Sequence, residues 1–409
     1  MRYAFLVMVT EQNNNKFYEM VEQDNGTIQL FNGRVDVTRI EQTPKPISQW
    51  DKIYNSKLKK GYQDITDLVS KKVAKKGSVN FVDINNKEVK DVIEKLIAFS
   101  NKTVADNYNV KATSVTQKQV DSAQEIIDTV SRMLKKGTAV DDINQNLLKL
   151  FTIIPRKMKS VKDYLLEGIT IDVDSSFEDA KDRISKEQDI LDSLQSSVLI
   201  NEAEENIEVS DVENKTILDT LGISIEPASD EDIKNIKNHL GDIRDKFQRA
   251  FVVTNKKAEK RFNDFVSKAD DKKIELFWHG SRNTNWLSIL QNSLMIRPSG
   301  VATVGAMFSL GIYGADKARK AFGYTSSRSA YWTKENSNVV YMAVFKFHVG
   351  KQKHIYKHDN SCYHITEQSL KKEGYDSVFA HGGYDLINNE YIIYNHSQCT
   401  IKYLVELKG

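Results

Sequence analysis

The hydrophobic period changes twice along the 409 residues. Residues 3–10, 16–21 and 27–31 are apolar, β-prone runs separated by the turn formers Asn13 to Asn15 and Asp24-Asn25-Gly26, which predicts a meander of three strands. The meander ends at Asn32-Gly33-Arg34-Val35. Residues 48–57, which contain Trp50, then read as helical and run into a basic turn, Lys59-Lys60-Gly61-Tyr62. From about Asn86 the period becomes helical. Val89, Val92, Ile93, Leu96 and Ile97 share one face, and Val120, Ala123, Ile126, Ile127, Val130 and Leu134 share another. Ile143, Leu147, Leu148, Leu150, Phe151, Ile153 and Ile154 continue the pattern as far as Pro155, whose ring and missing N–H stop a helix. Residues 171–214 are acidic, with fourteen Asp/Glu against three Lys/Arg, yet Ile184, Ile190, Leu191, Leu194, Val198 and Leu199 keep a helical stripe. Residues 201–214 lack one and are expected to form a loop or linker.

Beyond residue 215 strands and short helices are mixed. The pattern predicts strands at 223–226, 249–254, 274–278, 339–349, 376–381, 390–394 and 401–407. Helices are expected at 230–240, up to about Phe265, at 286–290 and at 315–322, and a loop opens at Pro298-Ser299-Gly300 and closes at Met307-Phe308. The organisation is therefore multidomain α+β: a small antiparallel β-rich module over 1–78, an all-α bundle over 79–212 and an α+β domain over 215–409.

Composition narrows the function. A formal net charge of +2 excludes a grossly basic nucleic-acid binder, so such binding would need local asymmetry. Residues 1–80 are mildly basic, thirteen Lys/Arg against nine Asp/Glu, concentrated at Lys57 to Lys60 and Lys71 to Lys76. Cys362 and Cys399 have no metal-ligand spacing, so reduced thiols in an intracellular protein are expected and no metal. The first ten residues are too few for a membrane span and read as a strand, and no membrane association is expected. No G-x-G-x-x-G follows a strand, which disfavours a dinucleotide-binding oxidoreductase, and no G-x-S-x-G elbow is present. His348, His354, His358 and His364 lack chemical company and are expected at the surface.

Three short islands carry the chemistry: Trp278-His279-Gly280-Ser281, Gly311-Ile312-Tyr313 and Asn389-Glu390-Tyr391. Each sits at the edge of an expected strand. A tyrosine face stacks well on a flat cation, and Tyr324 offers a second such face across the short helix that follows Tyr313. Gly280 lets a ligand come close enough for backbone N–H and C=O to pair with a planar carboxamide. A glutamate such as Glu390 can hold a sugar hydroxyl and stabilise an oxocarbenium-like centre as a glycosidic bond lengthens. These features suit the nicotinamide riboside of NAD⁺.

The sequences His279-Gly280-Ser281-Arg282, Gly305-x-Met307-Phe308-x-x-Gly311-Ile312-Tyr313-x-Ala315-Asp316, Lys320, Tyr324 and Asn389-Glu390-Tyr391-Ile392-Ile393-Tyr394 resemble the catalytic domain of the poly(ADP-ribose) polymerase family, the His-Tyr-Glu ADP-ribosyltransferases. The resemblance covers residues 215–409. It implies that His279 binds a ribose hydroxyl of NAD⁺, that Tyr313 and Tyr324 sandwich the nicotinamide, that Gly280 pairs with its amide, and that Glu390 positions the ribose for transfer and elongation. Ser281, Asn285 and Lys320 are implied to line the same cleft. Two positions depart from the family pattern: Ala321 stands where a serine usually helps hold the amide, and Gly314 where an aromatic is common.

The helical segment resembles the family's regulatory helical domain through Leu147-Leu-Lys-Leu-Phe-Thr-Ile-Ile-Pro155 and Asp189-Ile-Leu-Asp-Ser-Leu194. In that likeness Asp189 and Asp192, on one helix face, belong to an autoinhibitory gate over the NAD⁺ cleft. The first domain resembles the WGR module, which contacts DNA ends; Arg34, Lys57, Lys59, Lys60 and Tyr62 are its candidate DNA-binding residues. Asn32 replaces the signature tryptophan and Asp36 a glycine. The resemblance implies NAD⁺ as consumed substrate, acceptor proteins including the chain itself, and activation by DNA breaks in a DNA damage response. A mono-ADP-ribosyltransferase with another trigger and a DNA-binding scaffold with a weakened transferase fold are the alternatives. The expected location is intracellular: cytoplasmic or nucleoid in a bacterial or viral setting, nuclear in a eukaryotic one.

Overall fold

The computed structural model describes residues 1–35, 37–66, 84–108, 115–166, 174–206, 216–296, 307–326 and 337–409. Asp36, the basic run Lys71 to Lys76, the second part of the expected linker, and the loop around Ser299 and Gly305 lie outside these residues. Among the described residues, those up to 66 and from 101 to 206 form one compact unit; those from 84 to 100 and from 216 onward form another.

The first unit opens with β1 (Tyr3–Thr10), β2 (Asn14–Glu22), β3 (Thr27–Arg34) and β4 (Ile40–Pro46), then α1 (Trp50–Lys59) and β5 (Gln63–Asp64). These strands form an antiparallel sheet in the order β4-β3-β2-β1-β5. Leu6, Met20, Ile28 and Leu30 alternate onto one face and bury Trp50 of α1. The pattern predicted three strands and missed β4, whose Pro44 and Pro46 argue against a strand; at a sheet edge those missing donors face no partner. Gly33 is required by close approach, since a Cβ there would lie 1.8 Å from the Thr38 carbonyl oxygen.

The helices are α2 (Lys87–Asn107), through which the division between units passes, α3 (Gln117–Lys135), α4 (Val140–Ile153) and α5 (Asp174–Asn206). Three of the four helical stripes read from the sequence meet: Ile127, Val130, Leu147, Phe151, Ile184, Leu191 and Leu194 share one core. Thr116 and Gln119 close a capping box at the start of α3. α5 runs to Asn206, six residues into the expected linker. That stretch has no apolar stripe, but Glu202, Ala203, Glu204 and Glu205 are strong helix formers, so propensity extends the helix where packing gives no signal. Arg156, 2% exposed, pairs with Glu187 at 3.2 Å between the rings of Tyr108 and Tyr164. Loss of one partner from such a buried pair costs about 3–5 kcal/mol.

The second unit continues with α6 (Ile217–Leu221), β6 (Ile223–Pro227), α7 (Asp230–Leu240), β7 (Phe247–Asn255), α8 (Lys256–Ser267), β8 (Ile274–Gly280), α9 (Trp286–Asn292) and β9 (Ile312–Gly314). It ends with α10 (Ala318–Phe322), β10 (Val339–His348), β11 (Gln352–Ile355), α11 (Glu367–Lys372), β12 (Ser377–Ala380), β13 (Glu390–Ile393) and β14 (Cys399–Lys408). A five-stranded antiparallel sheet has the order β6-β7-β14-β10-β8, and a four-stranded sheet the order β11-β12-β13-β9 with only its β11–β12 pair parallel. A bridge between Trp278 and Ala315 joins the end of β8 to the residue after β9.

One histidine expected at the surface is in the core. His348 is fully buried, its Nε2 2.6 Å from the Asp271 carbonyl oxygen and its ring edge-on to Phe265. Its position at the end of a strand buried on both faces decides this, and a single histidine carries no such signal. His358 is half-buried against the Met307 carbonyl at 2.7 Å, whereas His354 and His364 are exposed. No described helix is long and apolar enough to cross a membrane.

Candidate active site

Strand register brings the three islands together. On β9 Tyr313 lies opposite Ile392 of β13, and Glu390 is two residues before Ile392, so Tyr313 and Glu390 project from the same face of the four-stranded sheet. The bridge at Trp278 sets His279 beside β9. His279 Nδ1 lies 3.2 Å from the Tyr313 carbonyl oxygen. A carbonyl only accepts, so Nδ1 carries the proton and Nε2 is left as an acceptor. Burial lowers the imidazole pKa against the smaller opposing effect of that hydrogen bond, which keeps the ring neutral at physiological pH.

Tyr313 is fixed at its far end. Its hydroxyl donates to the Ser309 carbonyl at 2.8 Å and accepts from the Phe308 N–H at 3.1 Å, while burial raises its pKa and keeps it a phenol. Tyr324 is 53% exposed and its ring does not stack on Tyr313 among the described residues, although its charge state acts on Tyr313. Its pKa is raised by burial and then by the Glu390 charge, which also acts on Tyr313.

Glu390 does not stand alone. Its Oε1 pairs with the Lys320 ammonium, which also donates to the Asn389 carbonyl at 2.9 Å; the two side chains are only 14% and 12% exposed. Burial raises the Glu390 pKa, Lys320 opposes that rise, and Asp316 adds to it. The pairing leaves Oε2 for another donor. Two supporting residues had no assigned role in the sequence reading. Asn389 donates to Asp316 at 2.8 Å and accepts from the Gly382 N–H at 2.9 Å, which fixes the chain just before Glu390. Asn283 donates to the Val339 carbonyl at 2.8 Å, anchoring the turn after β8. The only sequence signal for Asn389 was its place beside Glu390.

The departures have physical causes. A Cβ on Gly280 would lie 1.8 Å from the Ala321 carbonyl oxygen, so α10 presses its backbone against this glycine. The Ala321 methyl is itself buried in a cluster with Trp278, Ala315 and Ala318. At Gly314 a Cβ would meet Phe277 at 2.7 Å and Phe347 at 2.9 Å, so an aromatic has no room; Phe277 fills that region and stacks on Tyr391 with centroids 4.2 Å apart. Asn285 Nδ2 donates to Ser281 Oγ at 3.1 Å, which places both expected cleft residues on one turn.

The candidate DNA-binding residues divide. Arg34 donates to the Asn13 carbonyl at 2.8 Å, to its side-chain oxygen at 2.9 Å and to the Lys159 carbonyl at 2.9 Å, so its guanidinium ties the chain beyond α4 to the first sheet. Lys57 sits over Tyr18 at 3.6 Å and Tyr62 at 5.4 Å, and burial followed by Lys60 lowers its pKa. Lys59 and Lys60 are exposed. Asp189 and Asp192 are half-buried on α5, the latter accepting from Gln188 at 2.9 Å.

Comparison with known proteins gives this geometry a lineage. The sequence profile of the poly(ADP-ribose) polymerase catalytic domain matches residues 230–409. A poly(ADP-ribose) polymerase-like protein, 100L, of Invertebrate iridescent virus 6 is 30% identical over 180 residues, which cover 43% of this chain and 93% of that protein.

The chain belongs to the poly(ADP-ribose) polymerase family.

An uncharacterized protein of the same virus, 101L, is 40% identical over 204 residues, covering 50% of this chain and 81% of that protein. Poly(ADP-ribose) polymerase 1 of Gallus gallus is 23% identical over 324 residues, 72% of this chain but only 30% of the bird protein. The poly(ADP-ribose) polymerase catalytic domain consumes NAD⁺ as its substrate. Among the described residues no three His, Cys, Asp or Glu side chains are grouped to hold a metal, and both cysteines are buried thiols.

Proposed function

We propose that the chain binds NAD⁺ at His279, Tyr313 and Glu390, releases nicotinamide, and transfers ADP-ribose to protein side chains and to growing chains. The observation that carries this reading is that the β9–β13 register and the Trp278–Ala315 bridge bring together a neutral imidazole, a fixed tyrosine and a lysine-paired glutamate. His279 Nε2 accepts from a ribose hydroxyl. The Gly280 backbone pairs with the carboxamide, while Tyr313 and Tyr324 flank the cationic ring, a contact worth about 0.5–2 kcal/mol. Ser281, Asn285 and Lys320 line the cleft. As the bond from ribose to nicotinamide breaks, positive charge grows on the sugar, and Glu390 Oε2 holds a ribose hydroxyl beside it. The electron pair leaves with nicotinamide. An acidic side chain, a serine or a terminal ribose then supplies the nucleophile.

In the same reading residues 1–78 act as a WGR-like module with Lys59 and Lys60 toward DNA, and residues 79–212 as a helical regulatory domain in which Asp189 and Asp192 hold the cleft shut until DNA ends release them. The reaction takes place inside the cell. A second reading, a DNA-binding scaffold that turns over NAD⁺ weakly, has one observation in its favour: Ala321 offers no hydroxyl to the carboxamide. Incubation with adenylate-labelled NAD⁺, with and without short broken duplexes, separates them. DNA-dependent ladders of labelled protein support a break-activated polymerase, whereas DNA binding with no incorporated label moves the function to the scaffold.

A further inference from the structure

A cleft of about 880 Å³ opens along one face of α8, in the catalytic unit but sharing no residue with the site above. Lys257, Lys260, Arg261, Asp264, Phe265 and Lys268 follow helical spacing and form one wall. Lys351, Lys371, Tyr375 and Asp376 face them.

Six cationic and four acidic side chains line this space, and the acids are largely engaged. Asp264 is held by Lys260 at 2.7 Å, Asp376 accepts the Lys351 N–H at 2.8 Å, and Asp271 accepts the Lys273 N–H at 2.9 Å. Lys371 reaches Glu367 outside the cleft at 2.8 Å. Lys257, Arg261, Lys268 and Lys351 pair with no carboxylate among the described residues. Arg261 Nε is buried with no acceptor among them, an unused donor in the wall. Two rings complete the lining, with Lys351 over Tyr375 at 5.2 Å and Lys371 over Phe265 at 5.8 Å.

Cations next to aromatic faces in a concave site recognise phosphates attached to flat bases. Lys257 and Arg261 are one helical turn apart, and the carboxylates of Asp270 and Asp271 follow the other end of α8. Clustered rather than evenly spaced positive charge suits a pyrophosphate, whose two charges are adjacent and are followed by neutral ribose. A phosphodiester backbone spreads its charge evenly and would meet the acids. Resting on the transferase reading, we propose that this cleft holds a segment of ADP-ribose chain, with a pyrophosphate on Lys257, Arg261 and Lys351 and adenine against Phe265 or Tyr375. The enzyme thereby keeps its product attached while Glu390 extends the end.

The test uses the full chain without NAD⁺, so that no synthesis occurs, and the fluorescence anisotropy of an end-labelled ADP-ribose oligomer. Charge reversal of two exposed residues, Lys257→Glu with Lys351→Glu, should weaken binding at least tenfold with unchanged thermal unfolding, and Lys257→Arg with Lys351→Arg should keep it. His279→Ala should leave oligomer binding within twofold. Unchanged affinity after charge reversal overturns the proposal, as does equal competition by single-stranded DNA of matched charge. Nicotinamide release from NAD⁺ by the charge-reversed chain separates the two readings. Release at the wild-type rate with weakened oligomer binding supports the cleft. No release from either chain removes the transferase reading, while the anisotropy still decides whether the cleft binds the oligomer.

Discussion

Lys320 and Glu390 form a little-exposed ion pair, seventy positions apart in sequence, and the same ammonium holds the Asn389 carbonyl at 2.9 Å. The pair opposes the burial that raises the Glu390 pKa, so it governs the pH at which the carboxylate forms. Lys320→Gln removes that opposition. The acid limb of nicotinamide release should then move to higher pH, because Glu390 stays protonated until a higher pH is reached. A folded-state loss of up to about 3–5 kcal/mol accompanies an uncompensated buried charge. A pH–rate profile with an unmoved acid limb would show that Glu390 does not act as a carboxylate.

His279 gives the opposite sign. Its folded pKa lies below the ordinary imidazole value, so as pH falls the unfolded chain takes up this proton first. The stability associated with the neutral ring is complete above the ordinary imidazole pKa and is lost progressively down to the folded value. NAD⁺ binding should persist below pH about 6.5 and fail only as Nε2 becomes protonated. Titration of the ring by NMR, with NAD⁺ affinity measured alongside, checks this; loss of affinity centred at or above the ordinary value would refute it.

Much of this was legible in the sequence. The long apolar runs that became β10 and β14 marked buried strands, and the helical stripes of α3, α4 and α5 are the ones that meet in the first unit. β4 was hidden by its prolines, and the last turns of α5 by their lack of apolar positions. At the site, His279, Tyr313 and Glu390 stood out through the order and spacing of their three islands, each of which is weak alone. Their wiring could not: Lys320 to Glu390 and Gly280 against Ala321 are long-range contacts set by how two sheets meet. Arg34 was a candidate DNA contact through the WGR-like Gly33-Arg34, and its bonds to Asn13 and to the Lys159 carbonyl could not be read from that motif.

Ala321→Ser restores the hydroxyl usual in the family. One added hydrogen bond to the carboxamide is worth about 0.5–1.5 kcal/mol, so nicotinamide should inhibit roughly two- to tenfold more tightly. Inhibition curves test this. Unchanged inhibition together with lowered thermal stability would mean that the buried methyl serves packing with Trp278 and Ala318.

Asp189→Ala with Asp192→Ala tests the gate. If these half-buried acids of α5 help to hold the cleft shut, the basal rate without DNA should rise several-fold while the rate with DNA stays level. A basal rate that falls or does not change removes the gate and leaves α5 as a support.

His279, Tyr313 and Glu390 are proposed to form one NAD⁺-cleaving site. The most direct measurement is single-turnover release of nicotinamide from NAD⁺ by the wild-type chain and by Glu390→Gln, with NAD⁺ affinity determined on both proteins. The expected result is release by the wild type, a loss of at least a hundredfold in the rate for Glu390→Gln, and NAD⁺ affinity changed by less than threefold because the tyrosines and His279 are untouched. Equal loss of affinity and rate, or release that survives the substitution, would contradict it.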